Sequence, residues 1–397
     1  MYDNSKSLMI NQKETNHRKL KIALILNENS GIRSLSTFPS VCNTALLLNK
    51  FGYHVDLFLP DTIHIDYDLN GINLKAFKIV HIPICDIFAA LISNKIKQYE
   101  LLIAFHIDEF IVAGLLGTLH KIPVVYFCLE ILDFDQVRTI KSKIKKMLEI
   151  YFNKKAALTI TQDESRKNLI CKINHLPLNK VLCIPNSYIG IKNRKTDYLR
   201  RKFKIDSGKI IILYTGGIES WAIDENLINA SKNWDSQYVL VLHGWSRDGF
   251  LKKIQPLISE INRNNQKIFV SEGPLCPDDY NELIMSSDIA LVWLKKNPSS
   301  NVKNIGLSSG KMSSYLRCGI PIVVPAYIND LESLANNSNI GVAVNDESEI
   351  NIGISKIANN YETYRTNALK YYSAFLDFEK YFIEFRCYIN NILDNPL

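Results

Sequence analysis

Short, unbroken apolar runs recur along this chain, each ending in a polar or glycine-containing loop and followed by a stretch of helical periodicity. Such runs are of the length of buried strands or short buried helices. A strand–loop–helix–strand order then dictates parallel pairing, because the intervening helix carries the chain back to the starting edge of the sheet. The first unit begins with the strand KIALIL at residues 21–26, passes through a polar loop at 27–39 and a helix over 41–51 closed by Gly52, and enters a second strand at 54–59. Further strands are predicted at 76–81, 101–105, 124–128 and 158–161, with helices over 87–98, 110–120 and 141–152. After Pro185-Asn186 the pattern restarts with a strand at 209–214 that ends in Thr215-Gly216-Gly217, and strands follow at 238–243, 267–270, 289–293, 322–324 and 341–344.

The 397 residues exceed what one core of ordinary size accommodates. The expectation is an α/β protein of two doubly wound, Rossmann-like domains facing across a cleft. Residues 19–190 form the first domain and 191–373 the second, with a linker around 191–201. Residues 1–18 read as a polar, disordered leader without the apolar core of a signal peptide, which places the protein in the cytoplasm. The last segment, 374–397, is aromatic-rich and amphipathic. It reads as a helix crossing back onto the first domain, with a dimer-forming helix as the alternative.

Hydrophobic residues make up 47% of the chain and charged residues 22%, a globular balance that excludes a disordered polymer. No stretch approaches the roughly 18–20 apolar residues of a spanning helix. The eight cysteines are scattered without a C-x-x-C pair, so neither a disulfide framework nor a zinc site is expected, and most are read as reduced core residues. The formal charge of +7 is unevenly placed: residues 1–190 carry 23 Lys and Arg against 17 Asp and Glu, and residues 191–397 carry 24 against 23. The excess gathers in 138–155, where lysines alternate with Ile, Met and Leu at helical spacing. That segment fits an anionic membrane surface, and equally a solvated helix face. Nucleic acid is not an expected partner, since no basic stripe with interleaved aromatics continues elsewhere.

The chemistry concentrates in residues 306–324: a Gly/Ser loop, a short helix, a glycine stop at Gly319, and a strand entered through Pro321. Ser308, Ser309 and Gly310 can cap the helix while leaving backbone N–H groups free, and a helix N-terminus with free amides is an anion site. Lys311 adds a compact charge suited to a diphosphate. The same residues also fit an ordinary capped helix with a solvent-facing lysine.

This segment resembles the donor-site signature of GT-B glycosyltransferases of the large family-four type (glycosyl transferases group 1). The match runs through Gly306, Leu307, Ser309, Lys311, Tyr315, Leu316, Gly319, Pro321, Val323 and Val324. Three further stretches are similar in order and spacing: Thr161 to Glu164 followed by Ile184 to Ser187, Tyr214 to Gly217, and Glu272 to Pro274 continuing through Tyr280 to Asp288. The resemblance implies a nucleoside-diphosphate-sugar donor, a saccharide or lipid-linked acceptor, cell-surface polysaccharide or glycoconjugate synthesis, and no metal or other cofactor. It implies that Gly216 and Gly217 admit the diphosphate, that Glu272, Gly273 and Pro274 lie beside the base, and that Ser308, Ser309, Gly310 and Lys311 hold the phosphates. Two departures stand out. Gly306 and Ser314 occupy the positions of the E-x7-E glutamates that many retaining members carry, leaving Ser314 only a hydroxyl to offer. Ile218 and Glu219 stand where many members place an Arg/Lys pair.

On the acceptor side, Phe105-His106-Ile107-Asp108-Glu109 links a strand to a helix, which places it at the C-terminal edge of the sheet where doubly wound folds bind ligands. It is similar to the family's H-x-H-D-like loop. His106 and Asp108 are candidates for a general base or for orienting an acceptor hydroxyl. Asp108 fits a helix N-cap as well, with Glu109 in the first turn. Glu130 falls on the same side at the end of its strand, and Gly31 allows close approach of an acceptor in the loop after the first strand. Two rival functions remain: a non-catalytic carbohydrate- or nucleotide-binding relative, and a sugar-nucleotide epimerase or dinucleotide enzyme. The second is weakened because Tyr214-Thr215-Gly216-Gly217 lacks the G-x-G-x-x-G spacing.

Overall fold

The structure, a computed structural model, describes residues 20–27, 34–78, 83–134, 137–296 and 305–394. Two wholly parallel sheets organise it. The first contains β1 (Lys21–Leu26), β2 (His54–Pro60), β3 (Asn73–Phe77), β4 (Leu101–Phe105), β5 (Val124–Phe127), β6 (Leu158–Thr161) and β7 (Val181–Cys183), in the order β3-β2-β1-β4-β5-β6-β7. The second contains β8 (Ile210–Gly217), β9 (Tyr238–Trp245), β10 (Ile268–Glu272), β11 (Ile289–Leu291), β12 (Ile322–Pro325) and β13 (Gly341–Val344), in the order β10-β9-β8-β11-β12-β13. Each order reverses direction beside its first strand, at β1/β4 and at β8/β11. In an open α/β sheet this reversal opens a crevice at the strand C-termini. The sheets are apolar on both faces because helices cover both: Ile22, Leu24 and Leu26 of β1 face one core and Ala23 and Ile25 the other.

Differences from the sequence reading lie at the ends of elements. β3 spans residues 73–77 rather than 76–81, and residues 79–82 lie outside the described set. The helix expected over 87–98 is Pro83–Ser93 followed by a separate turn of 3-10 helix at Ile96–Gln98, reached through Lys95 at φ 54°. β7 is a strand the reading did not list. The expectation that most cysteines are core residues is only half right: Cys42, Cys128, Cys171 and Cys318 are buried, Cys85, Cys276 and Cys387 are exposed, and Cys183 lies between. None of the eight is in a disulfide.

The chain end returns to the first domain. The helix Tyr361–Phe375 belongs to the second domain, where Ala368 and Tyr372 are buried in its core. After a break at Leu376-Asp377, the helix Phe378–Asp394 sends Phe378, Phe382, Phe385 and Ile389 into the core of the first. Phe382 stacks on Phe51 at 5.8 Å between ring centroids, and Phe385 meets Phe127 edge-on at 5.6 Å. The rim is polar: Lys50 pairs with Glu379 at 2.7 Å, and the Tyr53 hydroxyl bonds Asn390. Residues 191–197 run without regular structure between the two sheets.

Candidate active site in the interdomain cleft

A cavity of about 860 Å³ lies between the domains, at the C-terminal edges of both sheets. The second domain supplies Thr215 and Gly216 from the end of β8, His243, Gly244 and Trp245 from the end of β9, Arg247 beyond it, and Gly273 and Pro274 after β10. The first domain contributes Ser34, Ser36, Thr37 and Pro39 together with Asp66, Tyr67 and Asp68. Asp66 holds this wall together, accepting from Ser36 N at 3.0 Å and Ser36 Oγ at 2.6 Å.

The helix Gly310–Arg317 aims its N-terminus into the cavity. Ser309 is its N-cap, the side chain accepting from Met312 N at 3.3 Å. Gly310 and Lys311 line the cavity. Their backbone N–H groups fall in the first turn, where a helix offers no internal acceptor. Lys311 Nζ lies 4.3 Å above the Tyr214 ring and donates to its hydroxyl at 3.3 Å. Among the described residues no carboxylate pairs with it. Burial pulls its ammonium down from 10.5 to about 8.

Two anchors fix this helix, one to β8 and one to the interdomain segment. The Tyr315 hydroxyl accepts from Thr215 N at 2.7 Å and lies 2.9 Å from Thr215 Oγ1, which also meets the Tyr280 hydroxyl at 3.1 Å. Arg317 donates from Nε to Gly190 O at 2.9 Å and from a terminal nitrogen to Ile189 O at 3.0 Å, tying the helix to the interdomain segment. Beneath the cavity floor Gly216 and Gly244 are paired across β8 and β9. A Cβ on Gly244 would sit 1.7 Å from Gly216 O, so only glycine fits.

The expected donor residues divide. Gly216, Gly273, Pro274, Gly310, Lys311 and Ser314 line the cavity. Gly217, Glu272, Ser308 and Ser309 do not. Glu272 is exposed at the end of β10, where strand alternation turns it into a shallow depression beside Ser246 and Lys252. Ser308 spends its hydroxyl on Ile305 O and its carbonyl on Asn186 Nδ2, while the Ser309 hydroxyl is the helix cap. Ser314 faces the cavity, but its hydroxyl donates back to Gly310 O at 2.8 Å.

The acceptor candidates lie elsewhere. His106 sits at the end of β4 with φ 72°, edge-on to Phe38 at 6.5 Å between centroids. Asp108 is not the N-cap; it occupies the first turn of the helix Ile107–His120 and pairs with Lys145 at 2.7 Å. Glu109, buried beside it, accepts from Asn27 N at the end of β1. Glu130 is exposed after β5. None of His106, Asp108 or Glu130 lines the cavity, and Gly31 lies outside the described residues.

The cavity holds residues the sequence reading passed over. Besides Lys311, the cations Lys192, Arg247 and Arg317 share the walls. Arg247 Nε donates to the buried Glu219 carboxylate at 3.0 Å, and Trp221 Nε1 does so at 2.6 Å. These bonds, with that to Arg247 N, hold the Glu219 carboxyl below its usual range although burial opposes them. Glu219, one of the two residues standing where the resemblance would place an Arg/Lys pair, thus positions a cation contributed by the next loop. His243 is pressed down to about 4 by burial and by Lys202, which makes it neutral near pH 7, and its Nδ1 lies 3.1 Å from Ser271 Oγ. The pair of glycines at strand ends, Gly216 and Gly244, was the signal available for this floor; Arg247 and the Asp66–Asp68 wall carry none.

The position of the absent first glutamate is filled in space. A Cβ at Gly306 would fall 2.8 Å from Asp163 Oδ2 and 3.5 Å from Asp330 Oδ2. Burial pushes both carboxyls up, Asp330 further through the neighbouring Asp163 charge. Asp163 also joins the domains by accepting from Leu307 N at 3.2 Å, while Asn186 N donates to Leu307 O at 3.1 Å.

Two parallel, doubly wound domains facing across a cleft, with the last helix returned to the first domain, define the GT-B fold. Residues 242–381 match the family described as glucosyltransferase 3-like, C-terminal domain. No curated protein sequence matches the chain. Among solved structures it is similar to HepE from Anabaena in complex with UDP-glucose, at 13% identity and a TM-score of 0.70 over 94% of this chain and 100% of that one. Sucrose-phosphate synthase from Thermosynechococcus elongatus superposes at 15% identity and a TM-score of 0.71, covering 94% of this chain and 99% of its own. WaaG, a glycosyltransferase involved in lipopolysaccharide biosynthesis, does so at 14% identity and a TM-score of 0.61, covering 90% and 98%.

Proposed function

We propose that the protein is a glycosyltransferase that moves a sugar from a nucleoside-diphosphate donor to a saccharide or lipid-linked acceptor in the interdomain cleft. The observation carrying this reading is Lys311. A lysine at a helix N-terminus with no carboxylate partner among the described residues, in a cavity wide enough for a sugar nucleotide, is placed to receive an anion. The matched C-terminal family and the UDP-glucose complex of HepE support a uridine diphosphate sugar as the first donor to test.

In this reading the diphosphate lies against the N-terminus of Gly310–Arg317, with Gly216 giving it room and Lys311 Nζ above it. When the bond from the anomeric carbon to the phosphate oxygen breaks, negative charge grows on the leaving diphosphate. The free amides and Lys311 are already oriented toward it and lower the barrier without reorganising. The acceptor hydroxyl oxygen forms the new bond to the anomeric carbon from the first-domain wall, where Asp66 and Asp68 offer carboxylates to sugar hydroxyls, and its proton passes to the leaving diphosphate. His106, Asp108 and Glu130 are left out of the chemistry; Asp108 ties two helices together through Lys145.

Incubation with a panel of sugar nucleotides, following release of the nucleoside diphosphate, tests the proposal. Release from at least one uridine diphosphate sugar is the expected result. Tight donor binding with no hydrolysis or transfer for any member would instead establish a binding protein.

A further inference from the structure

The helix Ile140–Lys155 carries an apolar stripe on the face turned away from the protein. Its inner face is anchored by polar contacts: Lys146 and Glu149 are buried and paired at 2.7 Å, and Lys146 also donates to Asn174 Oδ1 at 2.7 Å. Ile140, Ile144, Met147 and Tyr151 are spaced four, three and four residues apart, which sets them in one line along a helix. They are 78%, 53%, 67% and 53% exposed. This inverts the usual arrangement, in which the apolar stripe of a surface helix faces the core. The neighbouring helix Ile107–His120 adds exposed Leu115 and Leu119.

Cations flank the stripe on both sides. Helical spacing puts Lys143 and Lys154 along one edge and Lys141 and Lys155 along the other, all exposed. Lys155 Nζ reaches 4.2 Å above the Tyr151 ring and bonds its hydroxyl, so the charge sits beside the apolar row. The segment 138–155 contains a single acidic residue, Glu149, and that one is buried against Lys146.

We propose that this face binds an anionic lipid bilayer, with the apolar row entering the headgroup–acyl boundary and the lysines on lipid phosphates. The charge pattern selects this occupant over a second copy of the chain. A two-fold contact through the stripe would bring the same lysines together across the interface with no exposed acid on the segment to neutralise them. A bilayer rich in anionic lipid offers the opposite charge and the apolar layer at once. Among the described residues no helix is long and apolar enough to cross a membrane, so the contact is peripheral. The helix starts on the side of the sheet where the strands end, so its Ile140 end is the one nearest the cleft edge. The proposal does not rest on the transferase reading.

Co-sedimentation of the full chain with phosphatidylglycerol/phosphatidylcholine vesicles and with pure phosphatidylcholine vesicles tests it. The expected result is binding to the anionic vesicles at least about tenfold tighter than to the neutral ones, falling steeply as salt rises from about 50 mM to about 500 mM. Ile144→Glu with Met147→Glu, and separately Lys141, Lys143, Lys154 and Lys155 all changed to Glu, should each lower binding about tenfold or more. Because these side chains are exposed, thermal unfolding should hold its midpoint. Absence of binding by the unaltered protein at low salt would overturn the proposal, as would equal binding by the variants. So would a dimer in analytical ultracentrifugation that Ile144→Glu with Met147→Glu dissolves, which would make the second copy the occupant.

Discussion

Lys311 sits in a conflict between folding and binding. A lysine whose ammonium is lowered from 10.5 to about 8 by burial costs stability at every pH below about 8, because the folded state must hold the charge in a poorly hydrated place. As pH rises from there toward 10.5 the unfolded chain binds the proton more tightly than the folded one, so that cost is progressively relieved. On the proposed function a bound diphosphate reverses the balance by supplying a counter-charge. Above about pH 8 donor binding must therefore take up a proton, and affinity for UDP should fall, by at most about tenfold per pH unit. Lys311→Met should bind UDP at least tenfold more weakly near neutrality, through loss of a charge-assisted contact worth about 1.5–3 kcal/mol. It should also lose the decline above pH 8 and unfold at a higher temperature without ligand. Calorimetric titration across that range, with melting curves at pH 7, checks both; an unchanged pH slope in the variant would remove Lys311 from the phosphate contact.

At the scale of elements, the cleft floor depends on how closely two strand ends approach. β8 and β9 meet at Gly216 and Gly244 with no space for a side chain on the second. Gly244→Ala must push β9 off β8 or turn the Gly216 carbonyl. The expected outcome is a loss of about 1–3 kcal/mol in urea unfolding together with weakened UDP binding, since Gly216 lines the cavity. Stability and affinity both at the level of the unaltered chain would contradict the crowding argument. The strands themselves were legible because parallel strands buried on both faces read as unbroken apolar runs, as in KIALIL of β1. β7 escaped because three residues carry no periodicity, and β3 was misplaced because its partly exposed residues blur the apolar signal. The cavity lining was legible where backbone need leaves a mark, at Gly216, Gly273, Gly310 and the N-capped start of the helix bearing Lys311. It was illegible where tertiary proximity alone makes it: Asp66 and Asp68 lie more than a hundred residues before Arg247, and nothing in either segment announces that they share a wall. Asp108 is ambiguous in the sequence because a carboxylate in a first helical turn looks the same whether it faces a ligand or, as the structure has it, a lysine on the next helix.

For the whole molecule, the cleft has walls in two domains, and its shape depends on what holds them together. The loop 306–308 meets the first domain through Asp163 and Asn186 right beside the start of the helix bearing Lys311. The last helix adds the larger contact. It leaves the second domain at Leu376 and buries three phenylalanines in the first, so the first domain is completed by chain that the second must position. Phe382 is fully buried between Phe51 and Phe385, and a truncation there leaves a cavity the two rings cannot close. Phe382→Ala should cost the first domain about 3–5 kcal/mol. The second domain keeps its own core residues, including Tyr372 and Leu376, so its stability should change little. Differential scanning calorimetry should then resolve two transitions, the earlier one assigned to the first domain by hydrogen exchange of β1 and β4. UDP should raise the later transition more than the earlier, because Lys311 and the Tyr214 and Gly216 it lies against belong to the second domain. A single transition at the midpoint of the unaltered chain would mean that the returning helix covers the first domain without supporting it.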